Sequence, residues 1–225
     1  DEDVVLHIDG FNKITPHEAA AYLAAGTKLK SWRFDKYFTK KKPEDLPSLK
    51  AVTILTDNAN KAQTHLEGYD PVIEGAFLTR ELVSEPPNVL YPDAYAKIAQ
   101  ELKKVGVKVE VLSEKDMSKL NMGALLGVGQ GSEHESKLVV MQWMGSSNKK
   151  DAPVAFVGKG VTFDSGGISL KPGPGMEEMK FDMAGSAVVV GLMKSLAKRK
   201  AKVNAIGVIG LVENMPSDRA TRPGD

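Results

Sequence analysis

Two apolar runs, PVAFVG at 153–158 and VNAIGVIGLV at 203–212, the second broken only by Asn204, constrain the fold more than any other feature of the chain. A run without polar alternation suits a strand covered on both faces, as in a parallel sheet with helices on either side. Between the two lies AGSAVVVGLMKSLAKRK, residues 184–200, with an apolar stripe at helical spacing and basic residues in its last turn. Those charges oppose the negative end of a helix dipole. Strand, helix and strand in that order predict a parallel pair joined by a right-handed crossover. The expected class is α/β, a largely parallel mixed sheet flanked by helices.

The same patterning runs through the rest of the chain. VVLHI at 4–8 and AVTIL at 51–55 read as strands, and TPHEAAAYLAAG at 15–26 reads as a helix. Thr15 is the expected N-cap, Pro16 the first helical residue, Glu18 the closing member of a capping box and Gly26 the stop. VIEGAFLTRELVSE at 72–85 carries Ile73, Ala76, Phe77 and Leu82 at helical spacing. Pro86-Pro87 should end that helix, because a residue before proline is pushed out of the helical region. PDAYAKIAQELKKVG predicts a helix, and VKVEVL and KLVVMQW predict strands. The expected organisation is part of a small α/β domain over 1–71, a connecting helix and Pro-rich linker over 72–91, and a second α/β domain over 92–225.

Composition removes several function classes. Thirty basic residues stand against 29 acidic ones, a net charge of +1. That balance leaves no electrostatic footprint for nucleic acid or an anionic membrane. No run approaches a membrane span. The chain has no cysteine, which excludes disulfides, thiolate zinc sites and a cysteine nucleophile, and fits a reducing, cytoplasmic compartment.

Familiar glycine motifs fail on inspection. GVGQGS begins like a dinucleotide fingerprint, but Ser132 stands where its third glycine belongs, so a tight loop is expected. PVAFVGKG ends like a phosphate loop, but Pro153 replaces the first glycine and Gly160 replaces the Ser or Thr after the lysine. The four histidines are scattered, and neither H-E-x-x-H nor G-x-S-x-G occurs.

Lys159, Asp164, Lys171 and Asp182 remain, together in GKGVTFDSGGISLKPGPGMEEMKFD. They lie after a predicted strand and before a predicted helix, at the sheet edge where α/β proteins bind ligands. Two readings of them stay open. In one, Asp182 caps the following helix and Asp164 forms a surface ion pair with Lys159. In the other, the carboxylates hold a divalent metal. A lysine joins such a site only as the neutral amine, and deprotonation at pH 7 costs about 4.6 kcal/mol, which a bound dication can offset.

The stretch VGKGVTFDSGGISLKPGPGMEEMKFDMAGSA resembles the first signature of the leucyl aminopeptidase family, the dinuclear metallo-exopeptidases. WRFDKYF, RELVSEPPNVLYP, GALLGVGQGS and GLVENMPS are similar to other family segments. The resemblance implies Lys159, Asp164 and Asp182 as ligands of two divalent ions, zinc or manganese with magnesium a further candidate, and Asp164 as their bridge. It implies that the ions polarise the scissile carbonyl and activate a bridging water. Lys171, as ammonium, would stabilise the oxyanion that develops on the substrate. Met179 would line the pocket for the first side chain, although Met176, Met179 and Met183 also sit at the spacing of ordinary core.

The implied activity is removal of N-terminal residues such as leucine from peptide substrates, by a homo-hexamer. The family's second signature, NTDAEGRL, is expected after RPGD and supplies two more carboxylates and an arginine tied to bicarbonate. The chain ends at Asp225, so on this reading it carries half of the site. Two other classes stay open: a DNA-binding regulator, against which the charge balance argues, and a catalytically silent scaffold.

Overall fold

The computed structural model describes residues 2–9, 13–148 and 150–224. Contacts divide the chain into two units, Asp1–Ile73 and Glu74–Asp225. In the first, β1 (Glu2–His7) and β2 (Leu49–Leu55) pair in parallel, with α1 (Pro16–Ser31) between them in sequence. Thr15 starts α1 as expected: its backbone N–H and its hydroxyl donate to Glu18 Oε2 at 3.0 and 2.7 Å. Gly26 does not stop the helix. It stays helical with open space around it, the Thr27 hydroxyl donates back to the Leu23 carbonyl, and the chain turns extended only at Trp32.

The unit boundary falls inside α2 (Ala59–Ser84), a helix longer than the periodicity of 72–85 predicts. Its first half is polar, so no apolar stripe marked it. Asn58 Oδ1 accepts from the Lys61 N–H and caps its start. Pro71, which has no N–H to give the helical ladder, lies two residues before the boundary. The helix ends before Pro86-Pro87, as expected.

The second unit holds α3 (Pro92–Gln100), β3 (Lys108–Leu112), α4 (Glu114–Lys119), α5 (Gly123–Gly129), β4 (Lys137–Met144), β5 (Val154–Asp164), α6 (Ala184–Lys198) and β6 (Asn204–Asn214). The first part of GVGQGS is therefore the end of α5 rather than loop. The four strands form one sheet in the order β3-β4-β6-β5. The α/β class and the mixed sheet stand, while parallel pairing is narrower than expected. The pair β5–β6 is parallel, and β3–β4 and β4–β6 are antiparallel. Residues 145–153 are too few for the crossover that would let β4 and β5 run the same way; the two strands run oppositely, with β6 between them.

The core of this unit packs one face of α6, with Ala187, Val190, Met193 and Ala197, onto Val139, Met141, Ile209 and Leu211 of the sheet. Two glycines let α2 and α6 touch backbone to backbone. A Cβ on Gly191 would meet the Gly75 carbonyl at 2.4 Å, and the Thr79 hydroxyl donates across to the Ala187 carbonyl at 3.1 Å. Tyr95, fully buried on α3, hydrogen-bonds Ser186 Oγ at 2.9 Å, and burial pushes its phenol well above its ordinary pKa. Among the described residues, no helix is long and apolar enough to cross a membrane.

Candidate metal centre

β5 does not end at Gly158, where its apolar run stops. It continues through Lys159 to Asp164, so both residues belong to the strand and only the segment after it is loop. Gly158 and Gly160 serve packing rather than a turn. A Cβ on Gly158 would lie 2.6 Å from Ser186 Cα and 2.7 Å from the Gly185 carbonyl, and one on Gly160 would lie 2.5 Å from the Gly210 carbonyl. Bare backbone at Gly158 lets the first turn of α6 settle onto the strand, and with it Asp182, which lies just before that turn; at Gly160 it makes room for β6.

A strand alternates its side chains between two faces, so residues 159 and 164, an odd number apart, should point oppositely. The ladder with β6 corrects this. Val161 pairs with Val212 but Asp164 pairs with Asn214, so three steps on β5 span two on β6. The extra residue is a bulge, which re-aims the side chains beyond it. Thr162 and Phe163 are both buried there, and Asp164 returns to the face of Lys159.

Two ion pairs result. Lys159 Nζ lies 2.8 Å from Asp182 Oδ1, and Lys171 Nζ contacts Asp164 Oδ2 and donates to the Asp164 carbonyl at 3.2 Å. The pairing of Asp164 with Lys159, one of the two open readings, is not formed. Nor does Asp182 cap α6: Met183 holds the N-cap position and no side chain caps there. Asp182 Oδ2 is instead buried with no hydrogen-bond partner. Burial on its own would raise the pKa of Asp164. Hydrogen bonds from Lys171, from Asn214 Nδ2 at 2.7 Å and from the Gly166 N–H at 3.0 Å outweigh it and hold the carboxyl below its ordinary range.

Lys171 reaches Asp164 because the loop after β5 turns tightly. Gly166 and Gly167 both have positive φ, 91° and 66°, and the Lys171 N–H donates to the Ser165 carbonyl at 2.9 Å. Met179 lies in a 3-10 turn over Met176–Phe181, half-buried against Phe163, Met176 and Met215. Met176 and Met183 are fully engaged in separate clusters, which leaves Met179 the methionine of the three with surface to offer.

These residues suit part of a divalent-cation site. Among the described residues, no group of three or more His, Asp or Glu side chains converges as a metal cluster. The donors available are two carboxylates and an amine. Asp182 Oδ2, a buried polar oxygen without a donor, is costly unless a partner meets it, and Asp164 is already held ionised. Asn214 is the residue that the sequence reading missed. It stands in GLVENMPS, a segment already marked as family-like.

Residues 77–225 match the catalytic domain of the cytosol aminopeptidase family. A probable cytosol aminopeptidase of Afipia carboxidovorans is 57% identical over 210 residues, 93% of this chain and 42% of that protein. One from Agrobacterium fabrum is 54% identical over the full chain and 45% of its own length. The bottromycin maturation enzyme BotP in complex with Mn superposes with a TM-score of 0.78 at 30% identity, over 98% of this chain and 46% of that one. The chain thus spans less than half the length of the relatives it matches.

Proposed function

The chain belongs to the cytosol aminopeptidase family, and from that premise we propose that it contributes to a metal-dependent aminopeptidase releasing N-terminal residues such as leucine from peptides. The observation that carries the proposal is the pair of lysine–carboxylate contacts at Lys159–Asp182 and Lys171–Asp164, with Asp182 Oδ2 left without a partner. Lys159, Asp164 and Asp182 are the residues that would hold two divalent ions, zinc or manganese. When bound, such ions polarise a carbonyl and supply an activated water at neutral pH.

The chain's own groups have distinct tasks in this reading. Lys159 would give up its Asp182 contact and release one proton to solvent water to offer a neutral amine. Asp164 stays ionised because Asn214 and the Gly166 N–H, the donors that remain when Lys171 leaves, favour its charged form. Lys171, released from Asp164 Oδ2, keeps its ammonium and donates a hydrogen bond to the oxyanion developing on the substrate. Met179 offers flexible apolar surface to the substrate's first side chain.

The test uses two leucine anilides, one with a free amine and one acetylated, on protein stripped with a chelator and then given Mn²⁺ or Zn²⁺. The proposal expects cleavage of the free-amine substrate only, lost on chelation and restored by metal. Equal cleavage of both substrates, or activity indifferent to the chelator, removes it.

A further inference from the structure

We propose that Asn214 is a positioning residue for Asp164, holding one carboxylate oxygen with neutral donors so that the other is free to meet a cation. Asn214 has this role only if Asp164 is a metal ligand, as proposed above. Asp164 Oδ1 accepts from Asn214 Nδ2 at 2.7 Å and from the Gly166 N–H at 3.0 Å. A carboxylate oxygen offers about two lone-pair directions, so Oδ1 is saturated. Oδ2 has one side-chain partner, the ammonium of Lys171.

The two oxygens differ in kind. Lys171 carries its charge on a flexible stem, so it can swing away and leave Oδ2 to a cation. Asn214 and Gly166 are neutral: they orient the carboxylate without cancelling the charge that a metal ion needs. The direction of the Asn214 amide follows from chemistry, since an ionised carboxylate only accepts and the NH₂ end must face it.

Asn214 is itself anchored at the last position of β6. Its carbonyl accepts from the Ser165 N–H at 2.9 Å and from the Ser165 hydroxyl at 2.7 Å. On its other side, a Cβ on Gly167 would come within 2.8 Å of Asn214 Oδ1. The amide therefore sits between Asp164 and the loop that carries Lys171, and the bulge in β5 is what brings Asp164 opposite it. Groups behind a metal ligand that fix its orientation typically change metal affinity by about 10- to 100-fold.

The experiment compares Mn²⁺ affinity, by calorimetric titration, in the wild-type protein and in Asn214→Ala and Asn214→Leu, alongside melting of each metal-free form. Leucine keeps the branched shape of asparagine, in a somewhat larger volume, without a donor. The expected result is Mn²⁺ binding weakened about 10- to 100-fold in both, with metal-free melting within about 5 °C of wild type. Wild-type affinity in either folded variant overturns the role. Loss of the folded state in both metal-free variants also overturns it, leaving Asn214 a structural residue only. A wild-type protein that binds no Mn²⁺ fails at a different point, by removing the metal centre itself.

Discussion

Lys159 and Lys171 are the same residue type in one segment, yet their surroundings separate them. The Lys159 side chain is 62% exposed and touches a carboxylate whose second oxygen is orphaned. Lys171 is more enclosed and sits against an Asp164 that already has two neutral donors. A hydrogen-bond donor to an oxyanion contributes mainly in the transition state, so Lys171→Ala should lower kcat by about 10²- to 10³-fold while metal content, read by elemental analysis, stays unchanged. Loss of metal along with activity would place Lys171 among the ligands instead. The four ionisable residues were legible in the sequence because they crowd one glycine-rich stretch. Asn214 was not, because its contact with Asp164 spans 50 positions. Strand periodicity assigns residues 159 and 164 to opposite faces, and only the ladder shows the bulge that reverses this.

At the level of elements, packing decided what propensity left open. The apolar run at 153–158 marked a strand, but its continuation to Asp164 depends on pairing with β6, which no local pattern reports. The glycines on either side of Lys159 are contact points, Gly158 with the start of α6 and Gly160 with β6. Gly158→Ala would drive a Cβ into backbone atoms at 2.6 to 2.8 Å, and neither Ser186 nor Gly185 can yield without moving the helix. The substitution should cost about 1–3 kcal/mol, measurable as a lowered urea midpoint, and should weaken Mn²⁺ binding by shifting Asp182 away from Lys159. An unchanged midpoint would mean that α6 is free to move off the strand. Gly26 shows the opposite case: a glycine that sequence logic reads as a stop is carried through because the helix around it has room and continuing bonds.

For the whole molecule, alternating strands and helices were enough to place the chain in the α/β class. The order β3-β4-β6-β5 and its two antiparallel pairs were not readable, since strand direction depends on connection lengths and neighbours rather than on any one run. Within the second unit, that arrangement sets Lys159, Asp164 and Asn214 on adjacent strands and brings Asp182, just before α6, to Lys159. The central question is whether these residues bind a divalent cation. Calorimetric titration of metal-free protein with Mn²⁺, beside the variant Asp182→Ala, tests this most directly. Saturable binding in the wild type that falls at least about tenfold in the variant is the predicted result. Equal binding in the two proteins, or none in either, would contradict it.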